Sequence, residues 1–280
     1  MWKTKLGLGV LDLEGMTAEE EIRLFARTGF EAFFTGWSAP EDIVRWKALA
    51  DELGMTYQSI HAPFNRCNLM WEICEETQDV IDELKLCVRT CAENDIPILV
   101  VHTYIGFVNH APNMEGVENF RQVVLEAQRL GVKIAFENTE GEEYLAALMT
   151  WLGGYESVGF CWDTGHEQCY NWGKDMLALY GNKLIATHIN DNLGIRDYNG
   201  KITWIDDLHL LPFDGIIDWA DSVRRMNRCD YQDILTFELG IRSKPGRHEN
   251  DTYAKMTNEE YVAEVYKRAC RIAELKQRMK

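Results

Sequence analysis

The sequence predicts a single (β/α)8 TIM barrel occupying residues 1–280 as one domain. Short apolar, β-branched segments alternate with amphipathic ones from end to end, as the fold requires. No glycine-rich phosphate loop follows the first apolar segment, which disfavours a doubly wound open sheet. Histidines and carboxylates recur where apolar segments end, and a barrel gathers such positions on one face.

The first strand is expected at 5–10. It leads to a helix with Thr17 as N-cap and Glu20 completing a capping box, stopped at Gly29. A second strand at 30–36 precedes a helix that begins after Pro40 and ends at Gly54. The third strand, 55–62, runs into a longer loop, HAPFNRCNLMWEI, and a helix over about 75–94 whose end Pro97 marks. Strand four, 97–103, is followed by a helix over about 115–130 that stops at Gly131. Strand five, 132–138, precedes a helix at 142–152. Strand six, 158–163, precedes a short helix near 173–181. Strand seven, 184–190, opens a long loop to about Gly215 that carries Gly194, Arg196, Tyr198, Gly200 and Trp204. A helix at 215–228, an eighth strand at 233–239 and a last helix at 257–279 complete the chain. The strands read as apolar runs buried on both faces. Both long loops would cover the C-terminal mouth of the barrel, the second as a lid or as a plain surface loop.

Composition narrows the functional classes. Of 280 residues 46% are hydrophobic, enough for a large core, and the formal charge is −16. Such a surface repels a nucleic-acid backbone. The densest basic cluster, RRMNR at 224–228, reads as a solvated helix face. Nucleic acid is therefore not expected as a partner. Eight cysteines lack metal-type or paired spacing; Cys87 and Cys91 share a helix face and Cys161 lies in a strand. Buried reduced thiols and a reducing compartment follow. Asp12 and Glu14 interrupt the first apolar stretch too early for a secretory segment, and no stretch is long enough to span a bilayer. The expectation is a cytoplasmic protein without a membrane partner.

Five of the seven histidines end an apolar run or follow one closely: His61, His102, His166, His188 and His209. Glu137, Asp163 and Glu238 close other runs, and Asp207 precedes His209. Singly, a strand-end histidine is more often a hydrogen-bonded structural residue, and a carboxylate there is commonly a helix cap. Together, nine such groups at one barrel mouth carry a severe electrostatic cost that a divalent cation relieves. His110 and His248 end no strand and read as surface residues.

The blocks HAPF, EN, DTGH, HINDN, DLHLLPFDGIIDW and FELG, in that order, resemble those of the xylose isomerase-like TIM barrels, particularly the sugar phosphate isomerase/epimerase group, over almost the whole chain. Two departures concern the pocket: many relatives have a Pro-Gly-x-Gly turn where this chain has LPFDG, and the stretch 193–205 is unusually long. The resemblance implies a metal quartet of Glu137, Asp163, His188 and Glu238. It places His61, His102, His166, Asp207 and His209 in the same pocket. Three carboxylates and one imidazole suit Zn²⁺ or Mn²⁺, with Co²⁺ or Mg²⁺ also compatible. The nine positions equally match the trinuclear zinc set of the related endonuclease IV.

The implied reaction is isomerisation or epimerisation of a sugar, sugar phosphate or polyol. A proton is removed next to a metal-bound carbonyl, through an enediolate, with Glu137 and Glu238 as the acid–base pair. Trp37, Phe64, Tyr104 and Phe107 follow strand ends and are candidates to pack on a sugar, as is Asn138 beside Glu137; core or rim packing is equally open to the aromatic four. The alternatives are a trinuclear-zinc phosphodiesterase and an inosose dehydratase-like lyase on the same site. The acidic balance disfavours the first. The absence of a phosphate-binding cluster points to an unphosphorylated substrate.

Overall fold

The structure is a computed structural model that describes residues 2–108, 111–195 and 202–280. His110, Arg196, Tyr198 and Gly200 lie outside the described residues.

Eight parallel strands form one sheet: β1 (Leu6–Gly9), β2 (Ala32–Gly36), β3 (Thr56–His61), β4 (Ile98–His102), β5 (Lys133–Glu137), β6 (Val158–Asp163), β7 (Leu184–His188) and β8 (Leu235–Phe237). Neighbours pair in sequence order, and β1 also pairs with β8. The ring closes at β7 and β8 without a continuous ladder among the described residues. An isolated bridge joins Ile189 to Phe237. The Thr187 hydroxyl accepts from the Thr236 backbone N–H at 3.0 Å, and the Thr236 hydroxyl donates to the Thr187 carbonyl. Side-chain hydroxyls thus satisfy backbone groups that a ladder would otherwise pair.

The helices are α1 (Ala18–Thr28), α2 (Pro40–Leu53), α3 (Glu75–Glu93), α4 (Met114–Leu130), α5 (Glu142–Leu152), α6 (Thr164–Cys169), α7 (Met176–Tyr180), α8 (Trp219–Arg228) and α9 (Asn258–Arg278). The Thr17 capping box is formed, with Glu20 N–H on the Thr17 hydroxyl at 3.3 Å and Thr17 N–H on the Glu20 carboxylate at 2.8 Å. Most of the apolar core lies between the sheet and the helices. A smaller cluster of Ile98, Val100, Ala135, Cys161 and Ala186 forms a second packed layer on strands β4 to β7.

The sequence-based elements need three corrections. The short helix expected at 173–181 is α7, and α6 precedes it directly after β6. DTGH turns helical at once because Asp163 accepts the His166 N–H at 2.6 Å as an N-cap. The helix expected from 215 begins at Trp219, where Asp218 caps it through the Asp221 N–H at 3.0 Å. RRMNR is not a wholly solvated face. Arg224 and Arg228 are exposed, but Arg225 is buried between Glu167 at 2.7 Å and Asp175 at 2.8 Å. Glu167 also accepts from the Trp162 indole at 2.8 Å, so this ion pair fastens α6 to β6 and α8.

Candidate metal centre at the barrel mouth

Strand register assembles the site. On adjacent strands His102 lies beside Glu137, and Asp163 lies beside His188, each at a strand's C-terminal end. His61 ends β3, and Glu238 follows β8 with its N–H on the Ile189 carbonyl at 3.2 Å. Asp207 and His209 come from the long loop. An antiparallel bridge between Asp191 and Leu210 folds that loop back over the mouth. Asp191 anchors it further by accepting from the Phe213 N–H and the Trp219 indole, at 2.9 and 3.0 Å. Gly215 is required at this crossing, since a Cβ would lie 2.1 Å from the Asp191 carboxylate. The turn lets His209 reach the site with φ of +49°, a left-handed backbone uncommon for a non-glycine residue.

All nine sequence-predicted groups converge. Glu137 is fully buried. One of its oxygens lies 3.2 Å from His61 Nε2 and 3.1 Å from His102 Nε2, and the other 2.8 Å from His188 Nδ1. The same His188 nitrogen is 3.0 Å from Glu238. Asp207 lies 2.7 Å from His209 Nε2 and 3.5 Å from His166 Nε2. Asp163 caps α6 and also receives the Asn190 amide at 2.9 Å.

Charge is balanced within the cluster. Complete burial pushes Glu137 upward, but His188, His102 and His61 outweigh it and hold the carboxyl well below its ordinary range. Against the same burial, His188 and His209 bring Glu238 to about 2. Asp207 is held well below its ordinary value by His209 and His166, which outweigh burial. His166 stands well above its ordinary value because Asp163 and Asp207 overcome its burial. For His188, Cys161, Glu137 and Glu238 overcome burial to the same effect. His209 is raised against burial mainly by Asp207. Burial dominates elsewhere. It brings His102 down to about 4 and pushes Asp163 up to about 7.

A divalent cation fits this donor set. One ligand atom from each of Glu137, Asp163, His188 and Glu238 lies within 4.8 Å of the other three. The same holds for His61, His102 and Glu137, and for His166, Asp207 and His209. His102 Nδ1, His188 Nε2 and Asp207 Oδ1 are buried without hydrogen-bond partners. Nitrogen and carboxylate donors packed this closely, sharing protons among themselves, form the environment that transition-series cations occupy.

Beside the cluster lies a cavity of about 320 Å³ lined by Phe34, Gly36, His61, Phe64, His102, His166, Asp207, His209 and Glu238, with Asp12 and its neighbours at the rim. Phe64, one of the four aromatic candidates, lines it and stacks on His102 at 4.6 Å. The other three are not among the lining residues. Trp37 packs against the core, Tyr104 stacks on Tyr144 at 4.0 Å, and Phe107 lies against Tyr170 at 5.6 Å. Asn138 is fully buried, and its amide bonds Asp163 at both ends, with 2.8 Å contacts to the carbonyl and the N–H.

Sequence reasoning missed several neighbours. Phe34 stacks on His188 at 4.6 Å, and Cys161 sits within metal-ligand range of Glu137 and His188 as a thiol that burial pushes up to about 12. Asn190 stood two residues beyond His188 in HINDN, a visible but unused signal. Glu140, Tyr170 and Lys244 line an adjoining cavity and carried no sequence signal.

Residues 22–267 match the family model for xylose isomerase-like TIM barrels, and the chain belongs to that family. A Sinorhizobium fredii protein described as uncharacterized protein y4fM is 32% identical over 176 residues, 58% of this chain and 53% of its own. The chain thus spans about half the length of that curated relative. Among solved structures, a xylose isomerase domain protein from Planctomyces limnophilus superposes with a TM-score of 0.72 at 16% identity, covering 99% of this chain and 98% of its own. D-psicose 3-epimerase with D-tagatose, from Clostridium cellulolyticum H10, gives 0.70 at 15% identity over 99% of both chains. D-allulose 3-epimerase from Methylomonas sp., in complex with D-allulose, gives 0.71 at 14% identity over 98% of both. These structural likenesses establish a common fold. Among the described residues no helix is long and apolar enough to cross a membrane.

Proposed function

We propose that the chain is a divalent-metal-dependent isomerase or epimerase acting on a small sugar or polyol. The observation that carries this reading is the convergence of Glu137, Asp163, His188 and Glu238 within 4.8 Å beside a cavity that Glu238 lines. These four residues would hold the metal. When bound, the metal supplies electrophilic polarisation of a carbonyl and offsets negative charge. Glu238, kept ionised by His188 and His209, is in the proton-accepting state at neutral pH and faces the cavity. It takes the proton from the carbon next to the substrate carbonyl. Glu137, the second carboxylate, would return a proton handed on to it by the His188 Nδ1 that lies between it and Glu238, and Glu238 would then restore that nitrogen's proton from the one it took. Phe64 offers the apolar wall against which a sugar ring or chain lies. The named activities of the D-psicose and D-allulose 3-epimerases support the sugar reading over other reactions of the fold.

One observation favours a second reading, phosphodiester cleavage with three metals: His61/His102/Glu137 and His166/Asp207/His209 form two further ligand groups beside the quartet. The charge of −16 weighs against it. The test is to load the protein with Mn²⁺ or Zn²⁺, incubate it with D-fructose, D-tagatose and D-allulose in deuterated water, and assay an abasic-site duplex in parallel. A deuterated epimer or isomer without strand nicking is expected. Nicking without exchange on any ketose would overturn the sugar reading.

A further inference from the structure

A second cavity of about 340 Å³ adjoins the first and shares Phe64, His102, His166 and Asp207 with it. Its own walls are Ile105, Glu140, Tyr170, Trp204 and Lys244. The inner wall is therefore the candidate metal centre. The outer wall is Trp204, with the Lys244 ammonium 5.5 Å from its ring centroid. A small ketose does not fill both spaces, so the outer one takes the end of the substrate away from the reacting carbons.

The charge pattern of this compartment is unusual for the molecule. Apart from the Tyr170 phenol and the Trp204 indole, the other polar side chains lining both cavities are carboxylates and imidazoles, and Lys244 is the one lysine or arginine among the lining residues. Its basic neighbours in the segment after β8 are already neutralised. Arg242 pairs with Glu14 at 2.6 Å, and Arg247 with Glu249 at 2.8 Å and Asp206 at 3.5 Å. Lys244 has no carboxylate partner among the described residues. Glu140, the acid on the same wall, is buried, accepts backbone hydrogen bonds from its own N–H and that of Gly106, and makes no ion pair with Lys244 among the described residues.

We propose that the outer compartment is an anion subsite in which Lys244, over the Trp204 ring, recognises a carboxylate or phosphate at the distal end of the substrate. The proposal rests on the sugar-isomerase reading only for what occupies the inner cavity. An ammonium at a partly enclosed aromatic wall forms a charge-assisted bond to either anion. It selects an acidic or phosphorylated ketose over a neutral one.

The test titrates Mn²⁺-loaded protein calorimetrically with D-fructose, 5-keto-D-gluconate and D-fructose 6-phosphate, then repeats it with Lys244→Met and Lys244→Arg. One acid should bind about tenfold or more tighter than D-fructose, as one charge-assisted contact allows. Lys244→Met should collapse that ratio and Lys244→Arg restore most of it. Preference for the carboxylate or for the phosphate identifies the anion. Equal binding of all three, binding of none, or a preference that survives Lys244→Met overturns the subsite. Turnover is read separately: selective binding without proton exchange on any of the three would sink the isomerase reading and leave the subsite standing.

Discussion

Glu137 Oε1 lies 2.8 Å from His188 Nδ1, and that nitrogen carries a single proton position that Glu238, at 3.0 Å, also claims. The two proposed proton-moving carboxylates are therefore held by one imidazole, one sealed in the barrel and one facing the cavity. Replacing Glu238 with Gln keeps the shape and removes the charge. Ketose turnover should fall by about 10²-fold or more, the scale of a lost acid–base group, while the melting temperature moves by only a few degrees. Steady-state kinetics beside a thermal melt checks this, and unchanged kcat would remove Glu238 from the mechanism.

Metal affinity should depend on pH with a definite sign. His166, His188 and His209 all stand above their ordinary values in the metal-free cluster. Their protons stabilise the metal-free fold below the ordinary histidine range, and that contribution is lost as pH rises through the raised values. Metal binding must displace those protons, so affinity strengthens with rising pH. The gap in melting temperature between Zn²⁺-loaded and chelator-treated protein should widen from pH 6 to pH 8. A gap that narrows would contradict the charge balance described for the cluster.

Gly165 is packed against Asn190 so closely that a Cβ would lie 1.9 Å from the Asn190 amide oxygen. Gly165→Ala must displace Asn190 from Asp163. A stability loss of about 1–3 kcal/mol is expected from overpacking, together with weaker metal binding. Urea unfolding and metal titration measure the two effects, and unaltered metal affinity would show that Asn190 does not support Asp163.

Lys276 reports on a different region. Burial lowers its pKa to about 8 from 10.5, and its ammonium donates to the Tyr231 carbonyl at 2.5 Å. Between those values the unfolded chain binds more protons, so this residue's contribution to stability rises with pH. Relative to Lys276→Met, the wild type should gain on the order of 1–3 kcal/mol across that window. Denaturation curves at pH 7.5 and 10 test this, and parallel behaviour of the two proteins would refute it.

The barrel was legible because buried parallel strands and their helices leave strong periodic patterns, and because strand ends such as His102 and Glu137 become neighbours through register alone. The loop candidates were legible for a second reason: His209 lies beside an apolar run with Asp207 just before it, and their block DLHLLPFDGIIDW carries part of the family resemblance. What escaped had no local signature. The six-residue α6 is too short to show helical periodicity and begins on a residue that doubles as a candidate ligand, Asp163. Arg225 looks solvated in sequence and becomes buried only because Glu167 and Asp175 arrive from other elements. Lys244 stands out only once its basic neighbours are seen to be paired.

The closing join of the barrel has a further consequence. His188 ends β7 and Glu238 follows β8, so the two residues stand on opposite lips of the seam where hydroxyls replace a continuous ladder. Any cation held between them acts as a clasp on the ring. Backbone bonds from the Ile189 N–H to the Thr236 carbonyl at 2.8 Å and from the Glu238 N–H to the Ile189 carbonyl at 3.2 Å already join the two lips, and a cation would add a further tie at the mouth. Amides of β7 and β8 beside the seam should then exchange with solvent more slowly when a cation is bound than when it is chelated away.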